Sequence, residues 1–127
     1  MPNPAAPCGA RGKRSKVIFL RLSLLGILVG TLVTITSLAA AIYIAGAGDG
    51  SYALAKLLFP FAMFAAVLGH SIGAPSFVLA SVQFPSYGLI LGRSFRTSSF
   101  LESAVWIVLV HFAATVFVFA YPGVDFS

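Results

Sequence analysis

The stretch "GHSIG", residues 69–73, has the form GxSxG, in which a serine on a sharp strand-to-helix turn acts as the nucleophile of α/β-hydrolases. Glu102 and His111 follow Ser71 in the order serine, acid, histidine that such enzymes show. The motif counts only on top of a buried parallel sheet. Its flanks here, "FPFAMFAAVL" and "APSFVLAS", read as membrane helices with no strand and helix alternation. Glu102 and His111 are also nine residues apart on one helical stretch, about 900° of rotation, so the acid cannot orient the imidazole. A dyad of Ser71 with His70 or His111 meets a second obstacle. Ser71 is expected near a membrane face and His111 near the centre, roughly 15 Å apart along the normal. The sequence therefore predicts no enzyme, and a serine hydrolase at Ser71 is the remote alternative.

A second set of candidates lies deep in the apolar stretches: His111, Gln83, Thr31 and Thr34 fall near one level of the predicted helices. An ionisable group inside a membrane is a functional hypothesis whose partner should be named, and Gln83 is the partner expected for His111. The same contact would also serve as structural glue, worth on the order of 0.6 kcal/mol in a membrane interior. In size alone the chain is similar to small multidrug transporters and fluoride channels. The former need a carboxylate embedded in the first helix, and the acids here, Asp49, Glu102 and Asp125, all fall at helix ends. The motifs specific to either family are missing. A lone Cys8 and no clustered ligands predict no metal, no cofactor and no intramolecular disulfide.

These residues sit in a chain of 127 residues that is 59% hydrophobic and 9% charged, with a mean hydropathy of +1.00. A soluble domain carries roughly a quarter charged residues, and runs of about 18 or more uncharged apolar residues are candidate membrane spans. Three such runs stand out, Leu22 to Gly48, Leu57 to Gly92 and Ser103 to Val124. The net charge of +5 is concentrated in Arg11, Lys13, Arg14, Lys16 and Arg21, before or at the start of the first run. A juxtamembrane cluster of this kind orients the chain and attracts anionic lipid headgroups. No aromatic or polar reading residues interleave with it, so a nucleic-acid partner is not expected.

The fold expected is an all-α membrane protein, a small multi-pass bundle of one domain. Residues 1–16 form a disordered basic tail and residues 17–127 the bundle, with helices over about 17–47, 52–72, 76–92 and 100–121. The tail resembles a signal-peptide n-region, but the apolar stretch after it is too long for a cleavable signal, and an uncleaved first span is expected. Pro60 should kink or start the second helix, "GAP" at 73–75 should end it, and Pro85 should kink the third. Small residues at four-residue spacing predict close helix packing at Gly26, Gly30 and Thr34, at Ala65, Gly69 and Gly73, and at Gly88 and Gly92.

Sidedness gives conflicting signals. The N-terminal basic residues place that end in the cytoplasm of a cell membrane, and four crossings then leave Arg93 and Arg96 outside, against the positive-inside rule. Three crossings would bring both arginines inside and put the C-terminus out. The lengths of the apolar runs favour four. The expected function is a non-enzymatic membrane component, in contact with the lipid bilayer, that packs with itself or with a larger membrane protein. The alternative is a small channel or carrier using Gln83 and His111.

Overall fold

The computed structural model describes residues 10–46, 52–95 and 97–121, with side chains from Lys16 onward. Cys8, the Asp49 turn, Arg96 and Asp125 lie outside the described residues. All elements described are helices: α1 Ala10–Ile44, α2 Ala53–Leu58, α3 Pro60–Gly69, α4 Ala74–Ser94 and α5 Phe100–Ala120. Helix α1 starts at Ala10, not Val17, so the last part of the expected tail is helical. Arginine and lysine are good helix formers, and nothing in "ARGKRSK" interrupts the helix that follows.

Among the described residues, three helices are long and apolar enough to cross a membrane: Lys16–Ile44 within α1, α4, and α5. The expected helix over 52–72 is not continuous. Phe59 leaves the helical region at φ −126 and ψ 57, and Pro60 opens a new helix at its first turn. Proline has no N–H to give the carbonyl four residues back, so the backbone breaks there. Pro85 has a milder effect, since α4 runs through it as one helix.

Helices α1 and α4 form the backbone of the bundle. A Cβ on Gly26 would overlap the Gly88 carbonyl, one on Gly88 the Gly26 carbonyl, and one on Gly30 the Phe84 carbonyl. A Cβ on Gly92 would stand 2.6 Å from the Leu22 oxygen. Only glycine permits this approach, and close backbone packing is the main source of helix association in lipid. The partners run in opposite order along the two helices, Leu22 with Gly92, Gly26 with Gly88 and Gly30 with Phe84, so α1 and α4 are antiparallel.

That pairing fixes the course of the rest of the chain. The end of α1 and the start of α4 lie at the same end of the bundle, so α2 and α3 enter and leave there. Their break at Phe59 packs inward against Ala41, Ala62 and Ala80. Helix α5 returns antiparallel to α4 after a short connector, with the rings of Phe95 and Phe100 in contact at 5.2 Å. The other end of the bundle gathers positive charge: the Arg93 guanidinium sits 5.9 Å from the centre of the Phe19 ring, between Lys16 and Arg21 on α1.

The predicted ridge of Ala65, Gly69 and Gly73 does not form. A Cβ on Gly69 would meet nothing within 4 Å, and Gly73 is the extended residue that precedes α4. Burying Phe59 and Pro60 sets the rotation of α3, so Ala62, Met63, Ala66 and Val67 face inward instead. Helix α3 ends at Gly69, with His70 in the left-handed region at φ 50. His70 N–H donates to Val67 O at 3.3 Å and Ser71 N–H to Ala66 O at 3.1 Å. These are the two bonds of a Schellman cap, with histidine where glycine is usual.

Candidate functional site

The break in the α2–α3 segment creates the site. Beyond Ala55, whose oxygen accepts Phe59 N–H at 2.8 Å, the last carbonyls of α2 lose their helical donors, and in an apolar setting each needs another. Two side chains supply them. Gln83 Nε2 donates to Leu58 O at 3.0 Å, and His111 Nε2 lies 3.0 Å from Leu57 O. Tyr87 Oη is 3.2 Å from His111 Nδ1, and Gln83 Nε2 makes a longer contact of 3.4 Å with the same nitrogen.

The partners fix the hydrogens. A carbonyl opposite Nε2 requires the proton there, which leaves Nδ1 of a neutral imidazole as an acceptor for the Tyr87 hydroxyl and the Gln83 amide. The Gln83 amide nitrogen must face Leu58 O, because the reverse would oppose two acceptors. Its Oε1 is consequently buried without a hydrogen-bond partner among the described residues. Aromatic edges close the site, Phe59 on Phe84, Phe84 on Tyr87 and Tyr87 on His111, with centroids 5.5 to 6.0 Å apart.

Gln83 is about 14 Å along the axis from the start of α4 and about 16 Å from its end, so the site occupies the middle of the bundle. The structure brings Gln83 and His111 together and leaves the two threonines out. Thr34 is buried against α4 with its hydroxyl on Gly30 O at 2.9 Å, and Thr31 is exposed with its hydroxyl on Ile27 O at 2.8 Å. Each is satisfied within α1. Sequence reasoning missed Tyr87 and the two carbonyls. Tyr87 stands one turn from Gln83 on the same face of α4, and Pro60 marks where a helix must release carbonyls, so both carried a readable signal.

The serine candidate is placed elsewhere. The exposed Ser71 donates its hydroxyl to Gly69 O at 3.3 Å, while both ring nitrogens of His111 are turned to Leu57, Tyr87 and Gln83. No group of three or more metal-ligating side chains occurs among the described residues. No protein-family model, curated protein or solved structure matches the chain. What the fold defines is a class, an all-helical protein with helices suited to cross a membrane.

Proposed function

We propose that the chain is a non-enzymatic integral membrane component that crosses a cell membrane three times and acts by packing with itself or a larger membrane protein. The supporting observation is the use made of its polar centre. The amide nitrogen of Gln83 and Nε2 of His111 cap the carbonyls of a broken helix, and the Tyr87 hydroxyl holds the imidazole at Nδ1, which is a structural task. Meanwhile α1 and α5 keep long apolar faces outward, including Leu28, Leu32, Trp106 and Phe112, each more than 60% exposed.

Three crossings also remove the conflict over sidedness. With α1 and α4 antiparallel, the segment between them returns to the side it left, and Lys16, Arg21 and Arg93 share the other side. The sequence adds Arg11, Lys13 and Arg14 before this group and Arg96 in the connector beyond α4, leaving only Lys56 among the eight basic residues toward the opposite end. In this reading the N-terminus and the α4–α5 connector are cytoplasmic and the C-terminus is external. Reporter fusions should place the connector in the cytoplasm and Ser127 outside. The reverse arrangement, which four crossings give, or matching sides overturns three crossings.

Purification in mild detergent, with mass measurement and identification of co-purifying chains, tests the packing role. A defined oligomer or stoichiometric partner is expected. A lone monomer that carries an ion flux in vesicles, abolished by His111→Ala while the protein stays folded, would replace this reading with a carrier. Gln83 Oε1, buried without a hydrogen-bond partner among the described residues, is the observation on which that second reading rests.

A further inference from the structure

Histidine is the side chain that changes charge nearest neutral pH, and the structure surrounds His111 unevenly. As a neutral ring it donates from Nε2 to Leu57 O at 3.0 Å, and its Nδ1 accepts from the Tyr87 hydroxyl at 3.2 Å and, at 3.4 Å, from Gln83 Nε2. Gln83 is 5% exposed, yet its Oε1 has no hydrogen-bond partner among the described residues. A buried acceptor therefore stands idle on the same amide whose nitrogen touches the ring. We propose that His111 is a proton-binding site, and that proton uptake there turns the Gln83 amide over and frees the Leu58 carbonyl at the break between α2 and α3. The inference goes beyond the packing role and depends on neither the oligomeric state nor the number of crossings.

The chemistry of the ring dictates the steps. The ring is half-buried, and a proton arriving from water binds Nδ1, the nitrogen without one, which changes from acceptor to donor. The Tyr87 hydroxyl can turn about its C–O bond and accept. The Gln83 amide nitrogen carries only donors, so it now opposes a charged N–H. A half-turn about the last side-chain bond exchanges Nε2 with Oε1 and gives Nδ1–H an oxygen, in a charge-assisted bond about twice as strong as a neutral one. The same half-turn brings Oε1 to the place where Nε2 met Leu58 O at 3.0 Å, two acceptors in opposition. Leu58 O must then turn away. Phe59 beside it is already outside the helical region at φ −126, so the backbone can give there. Leu57 O is held more firmly, because Nε2–H of a positive ring is the stronger donor. The cap contracts from two carbonyls to one.

Helix α5 packs against α2, α3 and α4. Lys56 is the cation on α2, and its ammonium lies over the Phe119 ring, eight residues and about 12 Å along α5 from His111. Helix α3 has no titratable side chain. On α4 Tyr87 faces the ring, while Arg93 is six residues further toward the charged end. Glu102, the one carboxylate among the described residues, is nine residues from His111 on the opposite face of α5. Lys56 opposes the proton, and the released carbonyls at the C-terminal end of α2 attract it.

The test uses the full chain in phosphatidylcholine vesicles with the same buffer inside and out, labelled with nitrogen-15 at histidine, and with His70→Gly so that His111 is the one histidine left. Solid-state nuclear magnetic resonance should show a proton on Nε2 alone at pH 8 and on both nitrogens at pH 5. Hydrogen exchange, corrected for its intrinsic pH dependence, should show protection over residues 57–63 falling at least tenfold between the same two pH values, with α1 and α4 unchanged. Lys56→Gln should move both changes to higher pH by removing a like charge. Gln83→Met should leave residues 57–63 poorly protected at both pH values, with less than a twofold difference, while the ring still takes its proton. Should that variant misfold, His111→Gln, which keeps a donor for Leu57 O and does not titrate, should abolish the tenfold change. Tyr87→Phe should retain it. A ring still neutral at pH 5 overturns the proposal, as does a protonated ring with protection unchanged, or a pH dependence that survives in Gln83→Met or His111→Gln. Loss of the dependence in Tyr87→Phe would assign the coupling to the hydroxyl and overturn the role of Gln83.

Discussion

Replacing His111 with alanine removes three contacts at once: the bond to Leu57 O at 3.0 Å, the Tyr87 hydroxyl at 3.2 Å and the longer Gln83 contact. Side-chain hydrogen bonds in membrane interiors average about 0.6 kcal/mol, so the three together give about 1.8 kcal/mol, near a twentyfold change in the folded to unfolded ratio. The contacts meet at one ring, so they should not add independently of their partners. Tyr87→Phe keeps the ring that packs on Phe84 and removes only the hydroxyl, for an expected loss of about 0.6 kcal/mol. In the His111→Ala background the same change should cost almost nothing, because its acceptor is gone. Reversible unfolding in mixed micelles with increasing sodium dodecyl sulfate measures all four members of this cycle. The assignment of the site as a helix-capping cluster fails if His111→Ala costs less than about 0.5 kcal/mol or if the two changes add fully.

Other substitutions separate the packing glycines from the idle ones. Gly88→Val should lower stability by about 1–3 kcal/mol by forcing α1 and α4 apart, whereas Gly69→Ala should cause no loss in the same unfolding assay. His70→Gly should stabilise by about 0.5–1 kcal/mol, because glycine adopts the left-handed cap without the Cβ penalty. A serine-directed fluorophosphonate probe should leave the protein unlabelled, and labelling that vanishes in Ser71→Ala would restore the hydrolase reading.

The parts of this fold that composition and local rules control were legible in the sequence. Long apolar stretches marked α1, α4 and α5, and Gly26, Gly30, Gly88 and Gly92 marked a close helix contact. Their mutual register was not, because spacing shows that a ridge is smooth without showing what lies on it. The segment 52–72 misled for a related reason. Its length suits a crossing, and whether Pro60 bends a helix or breaks it depends on whether other groups can take up the released carbonyls. Gln83 and His111 do so from 25 and 54 residues away along the chain. The same long-range capture explains why the pair was foreseen as partners while the carbonyls they serve were not.

The insertion of α2 and α3 from one end only gives the molecule a taper. Five helices stand side by side in one half of its height and three in the other. A bilayer that accommodates such a body has more of its area displaced in one monolayer than in the opposite one. The two monolayers around such a body are in balance only if they hold unequal numbers of lipids or if the sheet bends.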